Sequence, residues 1–230
     1  MNTARAAGAL LIFLPLAFNL CFWLLGRSFD YPDILRRPTS EVLARFRAGG
    51  VRLLLLWWIF ALTAVLLAPL AVLLASALAG VNSSLAAVAA TIGVTAAVVQ
   101  FLGLIRWPFL VPYLARVDAD ADVGSARRET IDIVFQSFNR YLGVAVGEHL
   151  GYLFTAGWSV STGVALIQAT NTPWWTGVAG IVVGALLMIC SLEFVGAIEQ
   201  EGWKLAGVLT PIAYVAWSLW LIVVGVVLLL

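Results

Sequence analysis

Glu148 and His149, the chain's only histidine, are adjacent within a stretch made otherwise of Gly, Ala, Val and Leu. A carboxylate beside an imidazole is equipped to hold or pass on a proton, or to bind a positively charged group. Tyr152 follows Glu148 by four residues, one helical turn away and within reach of it. Arg106, Arg140 and Glu193 stand at the ends of neighbouring apolar runs. Ionisable groups inside a bilayer cost roughly 2.5–3.5 kcal/mol each on insertion scales. Each of these six residues therefore needs a partner, a wet cavity or a function, and together they are the candidate ligand-binding set. Asn19 and Gln100 add neutral polar groups in other apolar runs.

The surroundings are those of a membrane protein. The 230 residues are 63% hydrophobic and 11% charged, with mean hydropathy +1.02, far from a soluble composition of about 45–50% apolar and about 25% charged. Apolar runs able to cross ~30 Å of hydrocarbon predict helices at about 7–26, 53–79, 84–106, 140–166, 174–195 and 205–229. The expected fold is all-α, one polytopic domain over residues 1–230 with six transmembrane helices. The first run is read as an uncleaved span, because no small-x-small cleavage site follows it. Pro15, Pro69 and Pro211 are read as local bends, while Pro108 and Pro112 imply a kink or stop just beyond Arg106.

Cations separate sharply between alternate connections. Residues 27–52 carry Arg27, Arg36, Arg37, Arg45, Arg47 and Arg52. Residues 106–139 carry Arg106, Arg116, Arg127 and Arg128, and Lys204 lies in the last turn. The opposite side has Arg5 and the uncharged turns 80–83 and 169–173. Positive charge stays inside, so both termini are expected outside and the long connections in the cytoplasm. Trp23, Trp57, Trp58, Trp107 and Trp203 would form the inner aromatic belt, and Trp174 with Trp175 the outer one. Within the first long connection, Thr39 is placed to cap an amphipathic helix over about 39–48. Val42, Leu43 and Phe46 share one side of it, and Gly49-Gly50 ends it. It is expected at the inner leaflet, its arginines near anionic head groups.

Gly143, Gly147 and Gly151 recur every four residues and invite close approach of another helix, with Gly180 and Gly184 as the natural partner. The stripe suits packing within one chain better than a homo-oligomer seam. Asp118, Asp120, Asp122 and Glu129 have the spacing of an EF-hand loop. Val123 stands where that loop needs glycine, however, and Arg127-Arg128 oppose a cation, so a solvated acidic loop is expected. Cys21 and Cys190 are read as small buried hydrophobes. One histidine makes no metal motif, and no cofactor is expected. A net charge of +1 argues against a nucleic-acid partner.

The run from Asn139 to Thr155, with Arg106 and Val111-Pro112 before it, resembles a bacterial family of multi-pass membrane proteins described only as a domain of unknown function. The resemblance implies a single bundle in the bacterial inner membrane and transfers no role to any residue. The expectation is a protein that binds or transports a small molecule, ion or lipid through a cytoplasm-facing polar pocket. Its surroundings would be the lipid bilayer, with a partner membrane protein or second copy on the glycine-rich faces. Two alternatives are a structural or accessory subunit whose charges only fix helix packing, and an intramembrane acid/base enzyme using Glu148 and His149. Catalysis is the less favoured.

Overall fold

Hydropathy of this kind leaves backbone polar groups no partner but each other, and the described residues form helices joined by turns, with no strand among them. The computed structural model describes residues 3–78, 80, 82–122, 124–170, 172–198 and 201–230. Val81 and Asn171 of the two predicted uncharged turns, and Val123 of the acidic loop, lie outside the described residues. The helices are α1 (Thr3–Phe29), α2 (Thr39–Val65), α3 (Leu67–Leu78), α4 (Ser83–Phe109), α5 (Val111–Ala119) and α6 (Ala126–Phe138). A π-helical segment (Asn139–Leu150) then leads into α7 (Gly151–Gln168), and α8 (Trp174–Cys190) and α9 (Lys204–Leu229) complete the chain. Five stretches are long and apolar enough to cross a membrane, while α8, at 17 residues, is shorter.

Two predicted features resolve for physical reasons. Pro69 lacks the donor that would pair with the Val65 carbonyl, and the helix is interrupted at Leu66 between α2 and α3, a local bend in one apolar stretch from Thr39 to Leu78. Residues 106–139 hold two helices instead of an open connection. α6 is too polar to be read as a span, burying only Ile131 and Phe135, yet it runs straight into the π segment and α7 as one helix from Ala126 to Gln168.

Helix neighbours close on themselves. α1 touches α2, α2 touches α4, α4 touches the π segment and α7, α7 touches α8, α8 touches α9, and α9 returns to α1. Gly8 near the start of α1 meets Gly225 and Leu229 of α9, so the first and last helices begin and end at the same end of the bundle. There α3 leans inward against α1, α4 and α7. It completes an apolar core with Leu11, Trp158, Trp217, Trp220 and Leu221. A second core at the opposite end joins α1, α2, α4, α5 and α6 through Phe29, Phe46, Trp57, Trp107 and Phe135.

The second core absorbs residues that the sequence assigned to the lipid boundary. Val42, Leu43 and Phe46 are buried, so the apolar side of residues 39–49 faces the protein rather than an inner leaflet, and Gly50, at φ 55°, turns the chain into the span. Pro38 is the N-cap. Thr39 does not cap; its hydroxyl donates to Asp132 of α6 and accepts from Gln136 Nε2 at 3.0 Å. Trp57 and Trp107 are also buried, stacked at 4.3 Å between ring centroids, and leave the predicted belt. Trp23, Trp58, Trp174, Trp175 and Trp203 remain exposed. In the acidic loop Asp118 is not solvated: it is buried and lies 3.3 Å from Arg128 Nε. Ser125 caps α6 by accepting from the Arg128 amide at 3.3 Å.

Candidate functional site

The residues singled out by chemistry fall mainly on the π segment. π-helix is rare, occurs mostly as single turns, and concentrates at functional sites; here it runs for 12 residues through Arg140, Glu148 and His149. The glycines explain what holds it. A Cβ on Gly147 would lie 3.0 Å from Gly103 Cα, one on Gly151 would lie 2.9 Å from Gln100 Cγ, and Gly143 faces the Arg106 guanidinium. The stripe thus packs on α4 and not on α8 as expected. Gly180 instead faces Trp220 of α9, and Gly184 faces Ala156 and Val160 of α7. Backbone approach between α4 and the π segment is what brings Arg106 and Glu148 into one region.

Arg106 lies deep enough to need compensation, and it finds neutral groups rather than a carboxylate. Its guanidinium donates to the Gly103 carbonyl and, at 2.9 Å, to Asn139 Oδ1, with Trp107's ring centroid 5.5 Å away. Glu148 interacts with it electrostatically but not within ion-pair distance. His149 Nδ1 is 2.6 Å from the Ser191 carbonyl. A carbonyl only accepts, so Nδ1 carries a proton and donates it there. Glu148, His149, Tyr152 and Glu193 line one small cavity, closed by Val144 and the Cys190–Phe194 turn, of about 10 Å³, room for one water. Residues 148 and 149 point in different directions from the helix yet both reach this cavity, because it sits between the helix and the end of α8. Glu193 accepts a long bond, 3.4 Å, from the Thr210 hydroxyl.

Arg140 is the outlier: its side chain is exposed at the start of the π segment and does not line the cavity. Asn19 and Gln100 are engaged elsewhere. Asn19 Nδ2 donates to Ser218 Oγ at 3.0 Å, tying α1 to α9, and Gln100 Nε2 donates to Thr155 Oγ1 at 3.0 Å, tying α4 to α7. Cys21 and Cys190 are free and buried.

Sequence reading missed two residues of the site, Tyr31 and Tyr214. Tyr31, just beyond α1, interacts with both Glu148 and Arg106, and burial pushes its phenol up so that it stays protonated. Tyr214 of α9 packs edge-on against Tyr152, ring centroids 5.2 Å apart, and also feels Glu148. No motif marks either; a tyrosine in a connection and one in an apolar run look like belt residues. Arg36, from the same connection as Tyr31, interacts electrostatically with Glu193.

Tyr31, Glu148, Tyr152 and Tyr214 are half-buried, interact with one another electrostatically, and form no side-chain hydrogen bond with any described residue. Glu148 and Tyr152 line the small cavity, and Tyr31 and Tyr214 do not.

No curated protein and no solved structure matches this sequence. A family model described as "Domain of unknown function (DUF4386)" matches residues 6–225, nearly the whole chain. A helical protein with several membrane-length apolar helices, the chain belongs to the DUF4386 family.

Proposed function

We propose that this protein is a six-span component of the bacterial inner membrane that binds a small ligand in a polar chamber around Glu148, either to carry it or to respond to it. α8 counts as the sixth span, at about 25 Å for its 17 residues. Both termini lie outside, and the arginine-rich connections face the cytoplasm. The cation asymmetry supports this orientation, as do exposed tryptophans at each end of the bundle. The chamber then opens toward the cytoplasm, since α3 and the Trp158–Trp217–Trp220 core fill the opposite end.

One observation supports the reading: Glu148, His149, Tyr152 and Glu193 line one cavity beside the π segment, and the Glu148 carboxyl makes no hydrogen bond to a described group. A purely structural role predicts the reverse, as Asn19–Ser218 and Gln100–Thr155 illustrate. The site residues are Glu148, His149, Tyr152, Arg106 and Glu193, joined by Tyr31 and Tyr214. The test is thermal unfolding of purified protein against a panel of water-soluble metabolites and short lipids, beside Glu148→Gln. A compound that raises the midpoint of the parent but not of a folded Glu148→Gln variant supports binding. If no compound does so, the charges serve packing alone.

A further inference from the structure

A second and larger cavity lies away from Glu148, between the start of α2 and α6, at the end of the bundle opposite the termini. Its volume is about 360 Å³, within the range of small-molecule sites, about 300–1,000 Å³. Thr39, Ser40, Asp118, Arg128, Asp132 and Gln136 supply its polar wall. On α6, Arg128, Asp132 and Gln136 follow one another at intervals of four and so share one face. Opposite charges at that spacing ordinarily pair, yet Arg128 and Asp132 do not. Asp118 of α5 holds the guanidinium instead, 3.3 Å from Nε, and Asp132 accepts from the Thr39 hydroxyl. A positive fork and a carboxylate are thus kept apart, one turn from each other, in the wall of one cavity.

These charges are left with hydrogen bonds to make. The Asp118 side chain is only 6% exposed and accepts no hydrogen bond from a described residue. The Arg128 guanidinium donates none to a described residue, and its Nε is buried. Buried charged groups are ordinarily hydrogen-bonded as well as paired. Gln136 spends its amide N–H on the Thr39 hydroxyl, which leaves its carbonyl oxygen as a further acceptor. The wall therefore holds two carboxylates and one guanidinium, one negative charge in excess. We propose that this cavity binds an amino acid carrying a second cationic group, its carboxylate on the Arg128 fork and its two cations at Asp118 and Asp132. A guanidinium takes a carboxylate through two parallel hydrogen bonds. A ligand with two positive charges and one negative neutralises the site, whereas a simple anion meets two carboxylates and a simple amine leaves Arg128 unsatisfied. This site is separate from the one around Glu148 and does not depend on it.

The probes are L-lysine and L-arginine. Cadaverine and agmatine are the same molecules without the carboxylate, and L-norleucine and L-citrulline lack the side-chain charge. The readout is thermal unfolding of the purified full chain in detergent at matched ionic strength. At least one of the two amino acids is expected to raise the midpoint saturably, with apparent affinity at least tenfold tighter than either of its analogues. Asp132→Asn keeps an acceptor for the Thr39 hydroxyl but removes the charge, and it lowers that affinity tenfold or more. Asp118→Leu/Arg128→Met abolishes the response; should that variant fail to fold, Asp132→Asn decides alone. No saturable shift by either amino acid, equal responses to an amino acid and its decarboxylated or uncharged analogue, or an undiminished response in Asp132→Asn overturns the proposal. A response lost in Glu148→Gln but kept in Asp132→Asn also overturns it, and assigns the ligand to the other site.

Discussion

Adding one methyl group at Gly103 tests the packing that sets the chamber in place. The Cβ of Gly103→Ala falls 2.6 Å from Gly147 Cα, 3.0 Å from the Leu142 carbonyl oxygen and 3.3 Å from Gly147 N. Carbon atoms pack comfortably at about 3.5–4.0 Å, so α4 and the π segment must part by about 1 Å. The obstacle is backbone on the far side, and no rotamer change relieves it. Overpacking a close-packed site costs about 1–3 kcal/mol, and a backbone-to-backbone clash belongs at the upper end. Alanine recovers about 1 kcal/mol of helix propensity over glycine, leaving a net loss of about 2 kcal/mol. For a chain of this size that lowers the thermal midpoint by about 4–8 °C. The control is Gly157→Ala, whose methyl meets only the flexible Ile92 side chain, at 3.3 Å. There the propensity gain dominates, and the midpoint holds or rises. Tryptophan fluorescence during heating of the two variants in the same detergent reads both. A Gly103→Ala midpoint equal to or above that of Gly157→Ala would refute the close α4–π contact.

Two further outcomes follow from buried polar groups. The indole N–H groups of Trp57 and Trp107 are buried without acceptors, whereas Trp220 Nε1 donates to the Thr176 carbonyl at 2.8 Å. Trp220→Phe should therefore cost about 1–2 kcal/mol more than Trp57→Phe, because only the former strands a buried partner; comparable midpoints would contradict this. Asp118 keeps 6% of its side chain exposed while Arg128 keeps 29%. Removing the arginine alone leaves a buried carboxylate uncompensated, a loss of up to about 3 kcal/mol after allowing for Arg128's exposure. The double variant Asp118→Leu/Arg128→Met should be more stable than Arg128→Met by itself, a relation that a thermal double-mutant cycle measures.

How much of this the sequence disclosed depends on which interaction decides each feature. Composition and the length of apolar runs are governed by the solvent, and they located the apolar runs that lie in α1, α4, α7, α8 and α9 but not the more polar α5 and α6. The second core was hidden because Trp57, Trp107 and the Val42–Phe46 stripe have the same composition whether they face lipid or one another. Likewise the Gly143–Gly151 stripe announced a close contact but not its partner, which tertiary geometry alone selects. For the site, expensive charges drew attention to Glu148, His149, Arg106 and Glu193. Arg140 carried the same signal and sits outside, since a charge at a helix end can face away from the interior. Tyr31 and Tyr214 carried no signal at all. Each is one tyrosine among apolar neighbours, and only the fold brings both within electrostatic reach of Glu148. The π-helical register of residues 139–150 was equally silent, because no propensity in this stretch distinguishes it from α-helix.

The central claim is that Glu148 faces a wet chamber reached from the arginine-rich side of the membrane. Replacing Cys21 and Cys190 by alanine, then introducing Glu148→Cys, permits labelling with a membrane-impermeant cationic thiosulfonate applied to either face of sealed vesicles. The account predicts rapid modification from the cytoplasmic face and none from the outer face. Modification only from the outer face, or by lipid-soluble reagents alone, would contradict it.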